Sequence, residues 1–332
     1  MNKLILPYFF LLFMSSCSFH NKDSVKQGTK EDCITSEKSL ERKTLLEEGI
    51  RNKVKFLGEP EELSSITNRM LELNIPALSL AVINHGEIAW SKTYKNANFP
   101  EVNRLDCSSI FQAASLSKPV TFLAALRMYS AGEIDLDNNI QEYLNEYIVP
   151  PGMQTDDNPV TLRNIFSHTS GITPGGYEGY ARSLPMPSDM DILIGSDGVN
   201  SPAIEVINVP NERLAYSGGG YTLAELALQD IFSDEFSNIM KEWILEPAGM
   251  THTEFTQPLP ASDSIRVAKG YLQTGEVIEG GWNNYPEQAA AGLWSNSADL
   301  AKFLVEIYNA YQGKNSIFSQ ADIKSIINDE RD

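Results

Sequence analysis

The stretch that most constrains this chain is Phe111-Gln112-Ala113-Ala114-Ser115-Leu116-Ser117-Lys118-Pro119-Val120-Thr121. From Thr121 onward, Phe122, Leu123, Ala125, Leu126, Met128 and Tyr129 form an apolar run rich in helix formers, and Gly132 stands where a helix would stop. The pattern predicts a helix with Ser115 in or just before its first turn. Helical residues three apart share a face, which puts the Lys118 amine beside the Ser115 hydroxyl. A serine hydroxyl is a weak nucleophile until a neighbour takes its proton, and a lysine desolvated near a positive helix end has the lowered pKa that lets it do so. Ser-x-x-Lys alone arises about once by chance in a chain of this length at average residue usage. A serine at this position could also serve only as a helix N-cap.

The chain has 332 residues, is 42% hydrophobic and carries a formal charge of -18. That length and apolar content suffice for one large core. No basic cluster is present to neutralise phosphates, so nucleic acid is not an expected partner. Lys3 precedes an apolar run at residues 4 to 14, too short to span a bilayer and suited to the core of a signal peptide. Met14-Ser15-Ser16-Cys17 then resembles a bacterial lipobox, which implies a lipid on Cys17 and a cell-envelope location, with plain secretory cleavage as the alternative. Residues 18 to 44 read as a polar tether, and residues 45 to 332 as the folded domain. Cys33 and Cys107 then form an even pair for which a disulfide is allowed but not demanded.

Along the domain, helical periodicity takes in Leu63, Ile66, Met70 and Leu71, and a strand pair at 77–83 and 87–90 flanks Asn84-His85-Gly86 as a tight turn. Further helices are expected near Ile140 to Leu144, after Thr161, at 222–232, at 236–245 and at 297–311. A hairpin is expected around Thr274-Gly275, and a long loop at 173–210. His85 reads as a solvent-facing turn residue, and His168 as a helix C-terminal or turn histidine rather than a triad member. The glycines after Ser217 suggest a close backbone approach near Tyr216.

Five segments, in this order, resemble the serine β-lactamase-like hydrolases, nearest the class C β-lactamases, D-alanyl-D-alanine carboxypeptidases and related esterases. They are the Ser115 stretch, residues 161–171, residues 210–222, Ile244-Leu245-Glu246-Pro247-Ala248-Gly249-Met250, and Ala291-Gly292-Leu293-Trp294-Ser295 with Asp299-Leu300 following. The resemblance implies an α/β (α+β) sandwich with a helical sub-domain inserted at roughly residues 120–270. It implies Ser115 as the acyl-accepting nucleophile, Lys118 as its lysine and Tyr216 as the tyrosine that moves a proton to and from the leaving group. Gln112 and Gly218 fall on substrate-binding positions, with Gly218 where Asn is usual. Tyr94-Lys95-Asn96 mimics the tyrosine motif but precedes Ser115 in an expected strand. No cofactor or metal is implied.

The family carries a third motif, Lys or His followed by x-Gly, on a strand downstream of Gly-Leu-Trp-Ser. None follows Ser295 within these 332 residues, so the C-terminal strands are expected to come from further chain or from a partner. That strand would supply the second oxyanion-hole amide. The expected activity is hydrolysis of an amide or ester (a peptidoglycan-like peptide, a small ester or a β-lactam) through a Ser115 ester. The alternative is a non-catalytic remnant or binding module of the same fold.

Overall fold

In the computed structural model, residues 32–35, 39–51, 57–58, 62–260, 262 and 265–327 are described. The chain begins with β1 (Asp32–Thr35), α1 (Leu40–Glu48), β2 (Ile50–Arg51), β3 (Leu63–Ser64) and α2 (Ile66–Glu72), followed by the long hairpin β4 (Ala77–Asn84) and β5 (Glu87–Lys95). The expected tight turn joins these two strands. His85 and Gly86 have φ of 52° and 81°, the pair of left-handed residues that matches strand twist in a two-residue hairpin. β1 pairs antiparallel with the outer side of β5, giving a sheet in the order β1-β5-β4. Part of the segment read as a tether is therefore folded. Its anchor is a disulfide from Cys33 to Cys107, and the buried Lys43 ammonium lies over the Trp90 ring. Lys3, Cys17 and the rest of the expected leader lie outside the described residues.

β6 (Phe111–Ala114) leads into α3 (Ser117–Ala131), which stops at Gly132 with φ of 82°, where expected. The helix expected near Ile140 is a single 3₁₀ turn, Ile140–Tyr143. Next come α4 (Leu162–Phe166), β7 (Tyr180–Ala181), α5 (Asp189–Ile194), α6 (Gly218–Phe232) and α7 (Phe236–Met240), the last continuing as a π turn over Lys241–Leu245. β8 (Asn283–Asn284), α8 (Gln288–Ala291), β9 (Leu293–Ser295), α9 (Ser297–Tyr311) and α10 (Gln320–Ile327) complete the order. β6 pairs antiparallel with β9, and β7 with β8.

Capping explains where several of these elements begin. Thr161 and Asn164 form a reciprocal capping box that opens α4, and Ser188 with Asp191 does the same for α5. α5 lies inside the segment read as one long loop, because its two turns are too short to show a periodicity. α6 starts at Gly218 rather than Thr222. Ser217 Oγ accepts the Gly220 N–H at 2.8 Å, so the glycines read as a flexible approach become the first helical turn.

Two layers follow from what these elements bury. α3, α4, α6 and α7 share one core through Val120, Leu123, Leu162, Ile165, Leu223, Leu228 and Phe236, and the same core takes in Phe303 and Ala310 of α9. Fully burying each such side chain contributes about 1.5–3 kcal/mol. The β4–β5 sheet packs Trp90 and Tyr94 against Ile66 and Met70 of α2, while α9 lies against β4 and β5. Gly86 sits under the Tyr308 ring of α9, so a side chain there would collide with it. No helix among the described residues is long and apolar enough to cross a membrane. The Cys33–Cys107 bond closes a loop with a sequence separation of 74. Its removal in C33S or C107S is expected to lower the free energy of unfolding, read from urea melts, by about 2–4 kcal/mol.

Candidate active site

The nucleophile candidate sits on a bend. β6 loses regular register with β9 between Gln112 and Ala114, and Ala114 has φ of 46°, a left-handed conformation that an alanine adopts only under constraint. The constraint is Ser117, fully buried, whose Oγ donates to Ala114 O at 2.6 Å and accepts the Leu293 N–H at 2.9 Å. Ser117 thus ties the start of α3 to β9 and turns Ser115 outward, where it is exposed. The two serines of Ser115-Leu116-Ser117 divide the roles left open by the sequence. Leu116 occupies the N-cap position and no side chain caps the helix there, so Ser115 Oγ is not used as a cap.

Lys118 reaches Ser115 from the next turn of chain, as its spacing predicted. The residue is 5% exposed. Nζ donates to Ala290 O at 2.7 Å and, over a longer reach, to Ser115 Oγ at 3.4 Å. The Tyr216 and Tyr221 ring centroids lie 4.9 and 5.6 Å from Nζ. No carboxylate forms a salt bridge with it among the described residues. Burial therefore lowers the lysine pKa, with the Tyr216 hydroxyl opposing through a hydrogen bond and its charge.

Tyr216, immediately before the Ser217 cap of α6, completes the cluster. Burial pushes its phenol up, but hydrogen bonds with Ser115 and Lys118 and the lysine charge together bring it below the ordinary tyrosine value. Lysine and tyrosine are thus both held below their ordinary pKa values around one serine oxygen.

A match to the Beta-lactamase family model covers residues 63–329, most of the chain. The chain belongs to the Beta-lactamase family. It is 26% identical to Beta-lactamase-like protein 2 of Dictyostelium discoideum over 72% of this chain and 44% of that protein. To Penicillin-binding protein 4* of Bacillus subtilis it is 26% identical over 56% of this chain and 40% of that protein. The matched part thus spans less than half the length of these relatives. Among solved structures, the octameric penicillin-binding protein homologue from Pyrococcus abyssi superposes with a TM-score of 0.58 at 24% identity, covering 78% of this chain and 58% of that one. The fold is shared, and the family is in general one of serine hydrolases.

The other expected positions of this β-lactamase-family site are placed as follows. Gln112, on β6, donates from Nε2 to Asn283 O at 2.6 Å, joining the Ser115 strand to β8. Gly218 is buried at the first turn of α6, and a Cβ there would meet Gly175 O and Tyr177 Cε2, each at 3.1 Å. His168 is the turn residue expected after α4, but its ring also packs on Tyr216, with centroids 4.4 Å apart. The motif His168-Thr169-Ser170-Gly171 carried no signal of that contact, which depends on a segment far along the chain.

Two buried carboxyls were also missed. Glu225 of α6 and Glu287 are both 0% exposed. Glu225 Oε2 accepts the Ala289 N–H at 2.8 Å, one residue from the carbonyl that holds Lys118. Glu225 was detectable as the lone charge in the apolar run Tyr221 to Leu228; Glu287 had no such marker. Desolvation raises both, Glu225 well above the usual carboxyl range and Glu287 to about 7, with the nearby Asp189 charge adding to each. A folded-state pKa raised above the unfolded value favours the protonated fold, so stability is greatest below the unfolded pKa and declines as pH rises through the folded one. E287Q, which keeps the shape without the charge, is expected to match the parent near pH 4 and to be more stable near pH 8 by on the order of 3 kcal/mol, read as a shift in urea midpoint.

Proposed function

We propose that this chain is a serine hydrolase that cleaves an amide or ester through an acyl-enzyme on Ser115. The observation that carries this reading is the buried Lys118 amine, unpaired with any described carboxylate, held between Ala290 O, the exposed Ser115 Oγ and Tyr216. In this reading the neutral amine or the Tyr216 phenolate takes the Ser115 proton as Oγ bonds to the substrate carbonyl carbon. The same pair then gives that proton to the leaving nitrogen or oxygen as its bond to carbon breaks. Water repeats the sequence on the ester, releasing the acid and restoring Ser115.

A small α-amino-acid peptide of the peptidoglycan kind or a small ester is the favoured substrate. Gly218 presents no side-chain amide where the family pattern usually has Asn, and loop residues 175–177 fill the space beside it. Penicillin is the natural second probe, since a relative bears the name Penicillin-binding protein 4*. The apolar run before Met14-Ser15-Ser16-Cys17 supports a lipid anchor on Cys17 at a bacterial cell envelope. The Cys33–Cys107 disulfide suits that oxidising compartment.

A fluorophosphonate probe and labelled penicillin are expected to add one mass to the Ser115 peptide. S115A is expected to remove that label, and K118A to slow its formation by roughly 10²- to 10⁴-fold. The labelling rate is expected to climb as pH rises through the depressed lysine pKa, because the base must first lose its proton. An unlabelled parent chain, or K118A labelled at the parent rate, would overturn the assignment.

A further inference from the structure

His168 holds the chain on both sides of Tyr216. Its own carbonyl accepts the Ala215 N–H at 2.7 Å, and its ring Nδ1 accepts the Ser217 N–H at 3.1 Å. The ring lies on Tyr216 at 4.4 Å between centroids with a 36° tilt, and on Tyr221 at 5.3 Å. Tyr216 itself is 50% exposed, so burial does not fix it. Besides this clamp, its side chain meets the Lys118 amine and Ser115. His168 can grip both amides only because its backbone is left-handed, with φ of 57°. That conformation is costly for a non-glycine residue and is kept where the surroundings demand it.

We propose that His168 is a positioning residue for proton transfer at Ser115, acting as a neutral imidazole whose Nδ1 lone pair and ring face set the Tyr216 phenol against Lys118. This rests on the serine hydrolase reading above. The lone pair that receives the Ser217 N–H cannot carry a proton, so the ring's hydrogen is on Nε2. Protonation would turn that acceptor into a donor facing another donor, and would place a second cation beside Lys118. Burial, and then the Lys118 charge, lower the His168 pKa and keep the ring neutral. Its ring packs on Tyr221 from α6 and on Tyr216 before it, and the charge that faces it is Lys118 from α3.

Three variants separate the clamp from plain folding. H168A removes the acceptor and the ring. H168G also relieves the left-handed backbone. H168N restores an acceptor near the Nδ1 position and is tolerated at positive φ. With p-nitrophenyl acetate, H168A and H168G are expected to lose roughly ten- to a hundredfold in kcat with KM little changed, and H168N to recover most of that loss. A second readout needs no turnover. Long-range proton–nitrogen spectra of the parent chain, with the His168 signals identified by their absence in H168N, are expected to show the Nε2–H tautomer at pH 7. An Nδ1–H tautomer or an imidazolium would overturn the proposal, as would H168G turning over at the parent rate. If the parent fails to label at Ser115, the hydrolase reading falls, while the tautomer still decides the clamp.

Discussion

A buried lysine amine with no described carboxylate to neutralise it is the constraint on which the rest of this structure turns. A lysine only 5% exposed loses most of its hydration, and the protein answers with one carbonyl, Ala290 O at 2.7 Å, and two aromatic faces. Such a site stabilises the charge only partly, so the amine gives up its proton more readily than a solvated lysine. A paired carboxylate would have removed that property. Lys302 of the same chain does have such a partner, meeting Asp299 at 2.7 Å.

Each partner of Lys118 comes from a separate element, and the secondary structure is the means of bringing them together. α3 carries the lysine, and β9 receives the Ser117 hydroxyl that sets the angle of the Ser115 bend. α8 offers Ala290 O and is itself held by the Glu225 carboxyl of α6. The loop before α6 delivers Tyr216, gripped by the turn after α4. The helical core around Leu162, Leu223 and Phe236 keeps these elements at fixed spacing, so displacing one moves several contacts at once. The β4–β5 sheet lies outside this set, and the Cys33–Cys107 bond joins its outer strand to the segment leading into β6.

The part of the site that was legible in the sequence is the part that is local. Ser115 and Lys118 are neighbours through three residues of chain geometry, and the helix behind them announces itself by composition and by Gly132. Tyr216 was reachable only through the resemblance, since nothing in its own surroundings says it meets a lysine. The start of α6 was misplaced because three glycines look like a loop until Ser217 is seen to cap them. α5 was missed because two turns cannot show a period. The Cys33–Cys107 pairing stayed open because sequence separation carries no geometry.

The sequence by itself determined the mixed α/β class, the hairpin at Asn84-His85-Gly86, the helix after Ser115 and the Ser115–Lys118 pairing, because each depends on residues a few positions apart. Only the tertiary structure decided which serine faces outward and which is structural, that His168 clamps Tyr216, and that Glu225 and Glu287 are buried close to the carbonyl that holds Lys118. Those outcomes depend on what each polar group meets after water is excluded, and the partners come from distant parts of the chain.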